Sequence, residues 1–134
     1  MERIADELVF TGTVVSGRGE GRYFTRLDWV REQFIVRFGF EPLAGTFNVR
    51  VDVRCDADLE RLSKLSGIAI LPPSAEYCAA RCFRARVGPA EGVLVIPEVP
   101  DYPRGLLEIV APLNLRHTIG ARDGDRVGVR VYPD

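Results

Sequence analysis

The sequence predicts a mainly β domain whose strands close, or nearly close, into a barrel. Short segments rich in β-branched and aromatic residues recur along the chain, turn-forming residues separate them, and only one segment has strong helical spacing. Connections longer than a hairpin turn argue against a simple up-and-down meander. The 134 residues fit a single domain over 1–134, and 46% hydrophobic residues suffice for a core without disulfide bonds.

Seven segments carry the strand signal. The clearest, 46–53, alternates so that Phe47, Val49 and Val51 share one face. In the first segment Gly12 interrupts the apolar run, which suggests a bulge or kink. Proline, glycine and aspartate turns separate the segments. In chain order the predicted strands are 9–15, 46–53, 68–71, 82–87, 92–96, 107–111 and 126–132.

One main helix is predicted between the first two strands, because apolar residues recur there at helical spacing. Thr25 is its expected N-cap, with Asp28 three residues later in a capping-box variant, and Gly39 is its expected end. A second helix is expected over 57–65, and a short one after Pro112. The apolar residues that define the main helix are Leu27, Val30, Phe34, Ile35 and Phe38.

Composition narrows the classes of partner. The net charge of −1 gives no general attraction to nucleic acid or membranes, and no apolar run reaches membrane-spanning length. The charged start of the chain is unlike a secretory signal peptide. We therefore expect a soluble cytoplasmic protein without nucleic-acid or membrane partners.

Few side chains suit metal or phosphate chemistry. Besides Cys55, the cysteines are Cys78 and Cys82; an odd number without a C-x-x-C pair favours small buried hydrophobes over a metal site or disulfides. His117 is the single histidine, which excludes a His-rich metal site. Lys64 is the single lysine and lies outside the motifs below, so phosphate contacts must come from arginine, backbone N–H groups or a metal.

A glycine-rich turn with charges inside it, 16–23, follows the first strand. Its three glycines at every second position let the backbone approach a ligand closely, and Arg18 and Arg22 offer planar forks of donors to an anion. The spacing fits neither a Walker P-loop nor G-x-G-x-x-G. The pattern predicts a phosphate cradle of another type; the alternative is a tight loop with solvated charges.

Polar residues on two predicted strands are candidates for the chemistry. Thr46 and Asn48 point to one face and offer hard oxygen donors suited to Mg²⁺, although a solvated strand face gives the same pattern. Glu108 interrupts an apolar strand, either as a general base or hydroxyl-binding carboxylate or as an outward-facing residue. Arg116 offers a phosphate or base contact, or is a surface arginine. The segment 121–127 is interpreted as a β-turn before the last strand.

These segments, in this order, resemble the archaeal CTP-dependent riboflavin kinases over most of the chain. The resemblance rests on the ordered set 14–23, 39–42, 45–49, 108–112, 115–116 and 123–125. It implies a six-stranded cradle-loop (RIFT-type) β-barrel with one main helix and short helical turns. It also implies a phosphotransferase that moves the γ-phosphate of CTP to the alcohol group of riboflavin, giving FMN and CDP, with Mg²⁺ as cofactor.

The resemblance also implies roles for particular residues. Thr46 and Asn48 would coordinate Mg²⁺, and Glu108 would contact the polar part of the flavin; that Glu108 is also the base is our own hypothesis. One wall of the nucleotide site would be formed by Arg18, Gly19, Glu20, Gly21, Arg22 and Tyr23. The other wall would be formed by Leu113, Asn114, Leu115 and Arg116.

The sequence departs from the family pattern at several positions. Pro100 occupies the flavin-binding position, eight residues before Glu108, where the family usually has a hydroxyl, so this hydrogen bond is absent or moved. Asn114 and His117 stand where lysine and glutamate are common. The Pro100 departure leaves a non-catalytic flavin- or nucleotide-binding barrel as the alternative. A third interpretation is a swapped-hairpin DNA-binding protein, which the near-neutral charge disfavours.

Overall fold

The computed structural model describes residues 7–17 and 19–133. All seven predicted strand segments form strands there, with ends that differ from the prediction by at most two residues. The strands are β1 (Leu8–Val15), β2 (Phe47–Val51), β3 (Ile68–Ile70), β4 (Ala80–Val87), β5 (Ala90–Pro97), β6 (Leu106–Val110) and β7 (Arg126–Val131).

Six of these strands form a closed antiparallel barrel. They pair in the order β4-β5-β6-β2-β1-β7, and β7 returns to β4, where Ala85 lies opposite Val131 and Val87 opposite Val129. The short strand β3 pairs with the beginning of β4 as an extra strand. Closure satisfies the backbone hydrogen bonds that an open sheet would leave at its edges. The six-stranded barrel is confirmed, with a seventh strand added to it.

Two apolar clusters hold the barrel and its main helix together. The barrel interior is filled from every strand of the closed sheet, including Phe10, Phe83 and Ile109, each at most 1% exposed. A second cluster lies outside the barrel, where Phe34 of the main helix packs with its neighbours on Val93 and the rest of the β4–β5 surface. Each fully buried side chain of this size contributes about 1.5–3 kcal/mol. In β5, Leu94 lies in the barrel core while Val93 and Val95 lie in the outer cluster, and burial on both faces explains the continuous apolar run of this strand.

The described residues form four α-helices in addition to the strands. They are α1 (Glu20–Arg26), α2 (Asp28–Phe38), α3 (Asp56–Ser63) and α4 (Leu115–Ile119), and a 3-10 turn (Val53–Cys55) precedes α3. The main helix is confirmed as α2, and it ends as predicted at Gly39, whose φ of 80° is left-handed. The other two predicted helices are confirmed as α3 and α4. None of the helices in the described ranges is long and apolar enough to span a membrane.

The predicted N-cap of the main helix is wrong, and so is the assignment of Ile35 to its apolar face. Leu27 precedes α2 without a side-chain cap, whereas Thr25 is buried within α1. The Thr25 hydroxyl donates to the Gly21 carbonyl at 2.9 Å and accepts from the Gly45 N–H at 2.9 Å, so it ties α1 to the entry of β2. Ile35, counted with the apolar face, is 49% exposed, because Val30, Phe34 and Phe38 already fill the contact with the barrel.

Two glycines act differently from the prediction. Gly12 forms no bulge: it pairs in continuous register with Val51 on one side and Val127 on the other. A Cβ there would lie 2.3 Å from the Arg50 carbonyl oxygen, so the glycine permits a close strand contact. In the glycine-rich turn, residues from Glu20 onward form helix α1 rather than a turn.

Candidate active site

Strands β2 and β6 bring Thr46, Asn48 and Glu108 together. Asn48 lies opposite Glu108 in the β2–β6 register. The Thr46 hydroxyl donates to Glu108 Oε1 at 2.9 Å and lies 3.5 Å from Asn48 Oδ1. Leu107 and Ile109 are buried in the barrel core, so Glu108 points to the opposite face of β6. The structure therefore joins two motifs that the sequence separates by 62 positions.

The glycine-rich loop lies directly on this polar cluster. A Cβ on Gly17 would come within 2.7 Å of Asn48 Nδ2, and one on Gly21 within 2.4 Å of Thr46 Oγ1. A side chain at either position would force Asn48 or Thr46 to shift, and beneath the loop Asn48 is just 5% exposed. Gly19 differs, because its φ of 92° places it in the left-handed region at the start of α1. The close approach predicted for a ligand is therefore made, at Gly17 and Gly21, to the side chains of the site itself.

Tyr102 is a site residue that the sequence interpretation missed. Its hydroxyl donates to Glu108 Oε2, so each carboxylate oxygen accepts a hydrogen bond from a different hydroxyl. Burial raises the pKa of Tyr102, and the hydrogen bond to Glu108 and its negative charge raise it further, so the phenol remains a protonated donor. The available signal was a tyrosine between turn prolines six residues before Glu108, and no spacing rule connects those positions.

Pro100 lies in the turn that leads to Tyr102. The Tyr102 N–H donates to the Val99 carbonyl at 3.3 Å, which makes Pro100 the second residue of a four-residue turn. Proline suits that position because its ring fixes φ near the required value. Pro100 itself is exposed. Pro100, the position that departs from the family pattern, therefore lies two residues before Tyr102. The hydroxyl of Tyr102 reaches Glu108.

A cleft of about 220 Å³ opens beside Thr46. The cleft is lined by Arg22 of α1, by the segment 43–47, by Ile109 and Ala111, and by the segment 113–116. Five residues predicted for the nucleotide site therefore lie on one cleft: Arg22, Leu113, Asn114, Leu115 and Arg116. Gly19, Glu20, Gly21 and Tyr23 belong to the same loop and helix without lining the cleft, and Tyr23 is 61% exposed. Arg18 lies outside the described residues.

Arg116 is held by the turn before β7. Its guanidinium donates to the Val15 carbonyl at 3.1 Å and pairs with Asp123. The Ser16 hydroxyl donates to the other Asp123 oxygen at 2.5 Å. The Ser16 hydroxyl and the Arg116 guanidinium lower the pKa of Asp123. The predicted turn is confirmed, and it also connects the glycine-rich loop to α4.

Asn114 begins helix α4. Its side-chain oxygen accepts from the His117 N–H at 3.1 Å, and Leu115 behind it is buried in the barrel core. This cap satisfies one of the backbone donors at the start of the helix. Asn114 therefore fixes the backbone of the cleft wall from which Arg116 extends.

The described residues hold no group of three or more His, Cys, Asp or Glu side chains placed to bind a metal. The oxygens of Thr46, Asn48 and Glu108 form a different kind of cluster, a hydroxyl, an amide and a carboxylate. These are hard donors of the kind that Mg²⁺ accepts alongside phosphate oxygens and water. Cys82 is buried beneath α2, and burial raises the pKa of its thiol to about 12, in keeping with a small buried hydrophobe.

These features define a small closed-barrel domain with a polar cleft beside a glycine-rich loop. The family follows from comparison with known proteins. Residues 14–131 match the family model CTP-dep_RFKase, described as "Domain of unknown function DUF120". The chain belongs to this family, which confirms the resemblance seen in the motifs.

Several archaeal relatives carry the name riboflavin kinase. The chain is 38% identical to that of Pyrobaculum islandicum over 125 residues, which cover 91% of this chain and 59% of the relative. It is 39% identical to that of Archaeoglobus fulgidus, with 90% and 53% covered, and 40% identical to that of Pyrobaculum arsenaticum, with 90% and 59% covered. The chain thus matches between about half and three-fifths of these relatives' length.

Proposed function

We propose that this domain is a riboflavin kinase that transfers the γ-phosphate of CTP to riboflavin, giving FMN and CDP. The observation that carries the proposal is the contact of Thr46, Asn48 and Glu108 beneath the glycine-rich loop, beside a cleft with two arginines. The names of the relatives support riboflavin as the acceptor. The name of the family model supports CTP as the donor.

In this mechanism the terminal ribityl oxygen forms a bond to the γ-phosphorus. The bond from that phosphorus to the β–γ bridging oxygen breaks, and CDP leaves with the electron pair. The hydroxyl proton passes to Glu108, whose carboxylate has lone pairs left after accepting from Thr46 and Tyr102. Glu108 thereby orients the nucleophile and accepts its proton.

The donor set beside Glu108 fits Mg²⁺. Thr46 and Asn48 would hold the ion, because the Thr46 hydroxyl directs its hydrogen to Glu108 and keeps its oxygen lone pairs free. Asn48 directs its amide N–H to the Thr46 carbonyl at 3.2 Å, which leaves its Oδ1 as the available atom. When bound, the ion neutralises charge on the phosphate oxygens.

The nucleotide would occupy the cleft. Arg22 and Arg116 both line it and would supply the positive charge that a triphosphate requires. Lys64, the single lysine, is exposed just after α3 and does not line this cleft. Phosphate contacts in this domain would therefore come from arginine and backbone N–H groups, without a P-loop lysine.

A single assay tests the function. The protein is incubated with riboflavin, Mg²⁺ and each nucleoside triphosphate in turn, and FMN is separated from riboflavin by chromatography. We expect FMN with CTP and less with the other nucleotides. Glu108→Gln should abolish most turnover while calorimetric CTP binding persists, because Glu108 does not line the cleft. Turnover equal to wild type would exclude Glu108 as the base.

Other outcomes identify the alternatives. Binding of riboflavin or nucleotide without any FMN would support a non-catalytic barrel. Salt-sensitive DNA binding, with no small-molecule binding, would support the DNA-binding interpretation.

A further inference from the structure

The connection between β5 and β6 turns one side chain inward. Its residues 98–101 and 103–104 are exposed, whereas Tyr102 between them is half-buried. The inward direction is set by the turn at 99–102 and ends in the hydrogen bond from Tyr102 to Glu108 Oε2. Among the described residues, the hydrogen bond to Glu108 is the polar contact that the Tyr102 hydroxyl makes.

The chemistry of this contact is directional. An ionised carboxylate only accepts hydrogen bonds, so both Tyr102 and Thr46 must donate to it. With one donor on each oxygen, the carboxylate plane cannot rotate without breaking one of the two bonds. Each donor occupies one lone pair, so the carboxylate retains lone pairs for a third hydroxyl.

We propose that Tyr102 is a positioning residue for the phosphoryl transfer, which acts by fixing the Glu108 carboxylate toward the acceptor hydroxyl. This inference rests on the proposed function, because it needs an alcohol acceptor at Glu108. Tyr102, from the β5–β6 connection, and Thr46, from the entry of β2, each donate a hydrogen bond to one oxygen of the Glu108 carboxylate. The class of ligand is a primary alcohol, whose hydrogen is accepted by the oriented carboxylate.

The test is a double-mutant cycle with Tyr102→Phe, Glu108→Gln and the double variant. Tyr102→Phe removes only the hydroxyl and should lower kcat about 10- to 100-fold, the range of a hydrogen bond to a charged group. The KM for CTP should change less than about 2-fold, because the hydrogen bond between Tyr102 and Glu108 lies at the riboflavin side of the proposed site and neither residue lines the nucleotide cleft. Tyr132→Phe is the matched control, because Tyr132 lies outside the cleft and uses its backbone to bond Arg84. The kcat of slow variants is measured from the FMN that accumulates during long incubations.

The cycle separates a positioning role from a structural one. If Tyr102 acts through Glu108, the double variant will be no slower than Glu108→Gln alone. If the two losses multiply, or if Tyr102→Phe turns over like wild type, the inference is overturned. Absence of FMN from the wild-type protein would instead contradict the proposed function, so the two failures are distinguishable.

A second variant covers the case in which Tyr102→Phe does not fold. Pro100 is exposed, so Pro100→Gly loosens the turn before Tyr102 without opening the core. It should lower kcat in the same direction by about 2- to 5-fold, less than loss of the hydroxyl itself. Unchanged kcat in Pro100→Gly, together with an unfolded Tyr102→Phe, would assign Tyr102 to the fold and overturn the proposal.

Discussion

Replacing Gly21 with alanine should damage turnover more than stability. The new Cβ would lie 2.4 Å from Thr46 Oγ1 and 2.7 Å from Thr46 Cγ2, whereas ordinary contact begins at 3.4 Å. Thr46 or α1 must therefore move by about 1 Å, the scale of misplacement that costs about 100-fold in rate. A movement of that size would stretch the 2.9 Å bond from Thr46 to Glu108 beyond hydrogen-bonding distance.

The stability of Gly21→Ala has two opposing contributions. Alanine favours helix α1 by about 1 kcal/mol over glycine, and crowding against Thr46 costs about 1–3 kcal/mol. The net change in the free energy of unfolding is thus small, within about 2 kcal/mol. We expect kcat to fall about 100-fold while urea denaturation changes little.

Two other glycines provide matched controls. Gly128→Ala introduces a Cβ whose nearest neighbour is the Phe10 carbonyl at 3.9 Å, so it should change neither rate nor stability. Gly12→Ala brings a Cβ to 2.3 Å from the rigid Arg50 backbone, so it should destabilise the barrel. Wild-type turnover in Gly21→Ala, or a loss of turnover that only parallels unfolding as in Gly12→Ala, would refute the reasoning.

Two further predictions concern aspartates that pair with arginine. Asp123→Asn keeps the size of the side chain but removes the charge that holds Arg116; steady-state kinetics should show the KM for CTP rising about 10-fold with a smaller change in kcat, and an unchanged KM would contradict this role. Asp52→Asn tests stability against pH. The Arg126 guanidinium and the Thr11 hydroxyl lower the pKa of Asp52 below its ordinary value of 3.8. The ionised carboxylate therefore stabilises the fold at a pH above 3.8, and this stabilisation is lost as the pH falls from 3.8 towards the lowered pKa. Denaturation curves should show wild type and Asp52→Asn differing most above pH 4 and converging in acid; a constant difference would exclude the ion pair as the cause.

Local sequence patterns predicted the strands well because each strand carries its own signal. In β2, Phe47 and Val49 alternate with polar residues, and in β5 and β6 apolar runs end at turn residues. The strand pair that closes the barrel could not be predicted in this way. The number of short strands predicted a closed or nearly closed barrel, but pairing of β4 with β7 joins residues more than 40 positions apart, so no local pattern identified the strands that meet there.

The errors arise where a distant contact decides the local structure. Glycine density between 16 and 23 favoured a turn, but a helix begins at Glu20 and its Gly21 lies against the distant Thr46. Thr25 looks like a cap in sequence, but its hydroxyl is bonded to Gly45, twenty positions away. Tyr102 was missed because its role depends on the turn that directs it to Glu108.

The same closeness of Gly21 to Thr46 links the two substrate sides of the proposed site. Arg22 faces the cleft from α1, and Gly21, its neighbour, rests on the threonine that holds Glu108. A shift of α1 on nucleotide binding would therefore reach the acceptor side through the direct contact of Gly21 with Thr46. Kinetic synergy between the two substrates is the consequence: occupancy of the cleft should change how well the second substrate is aligned.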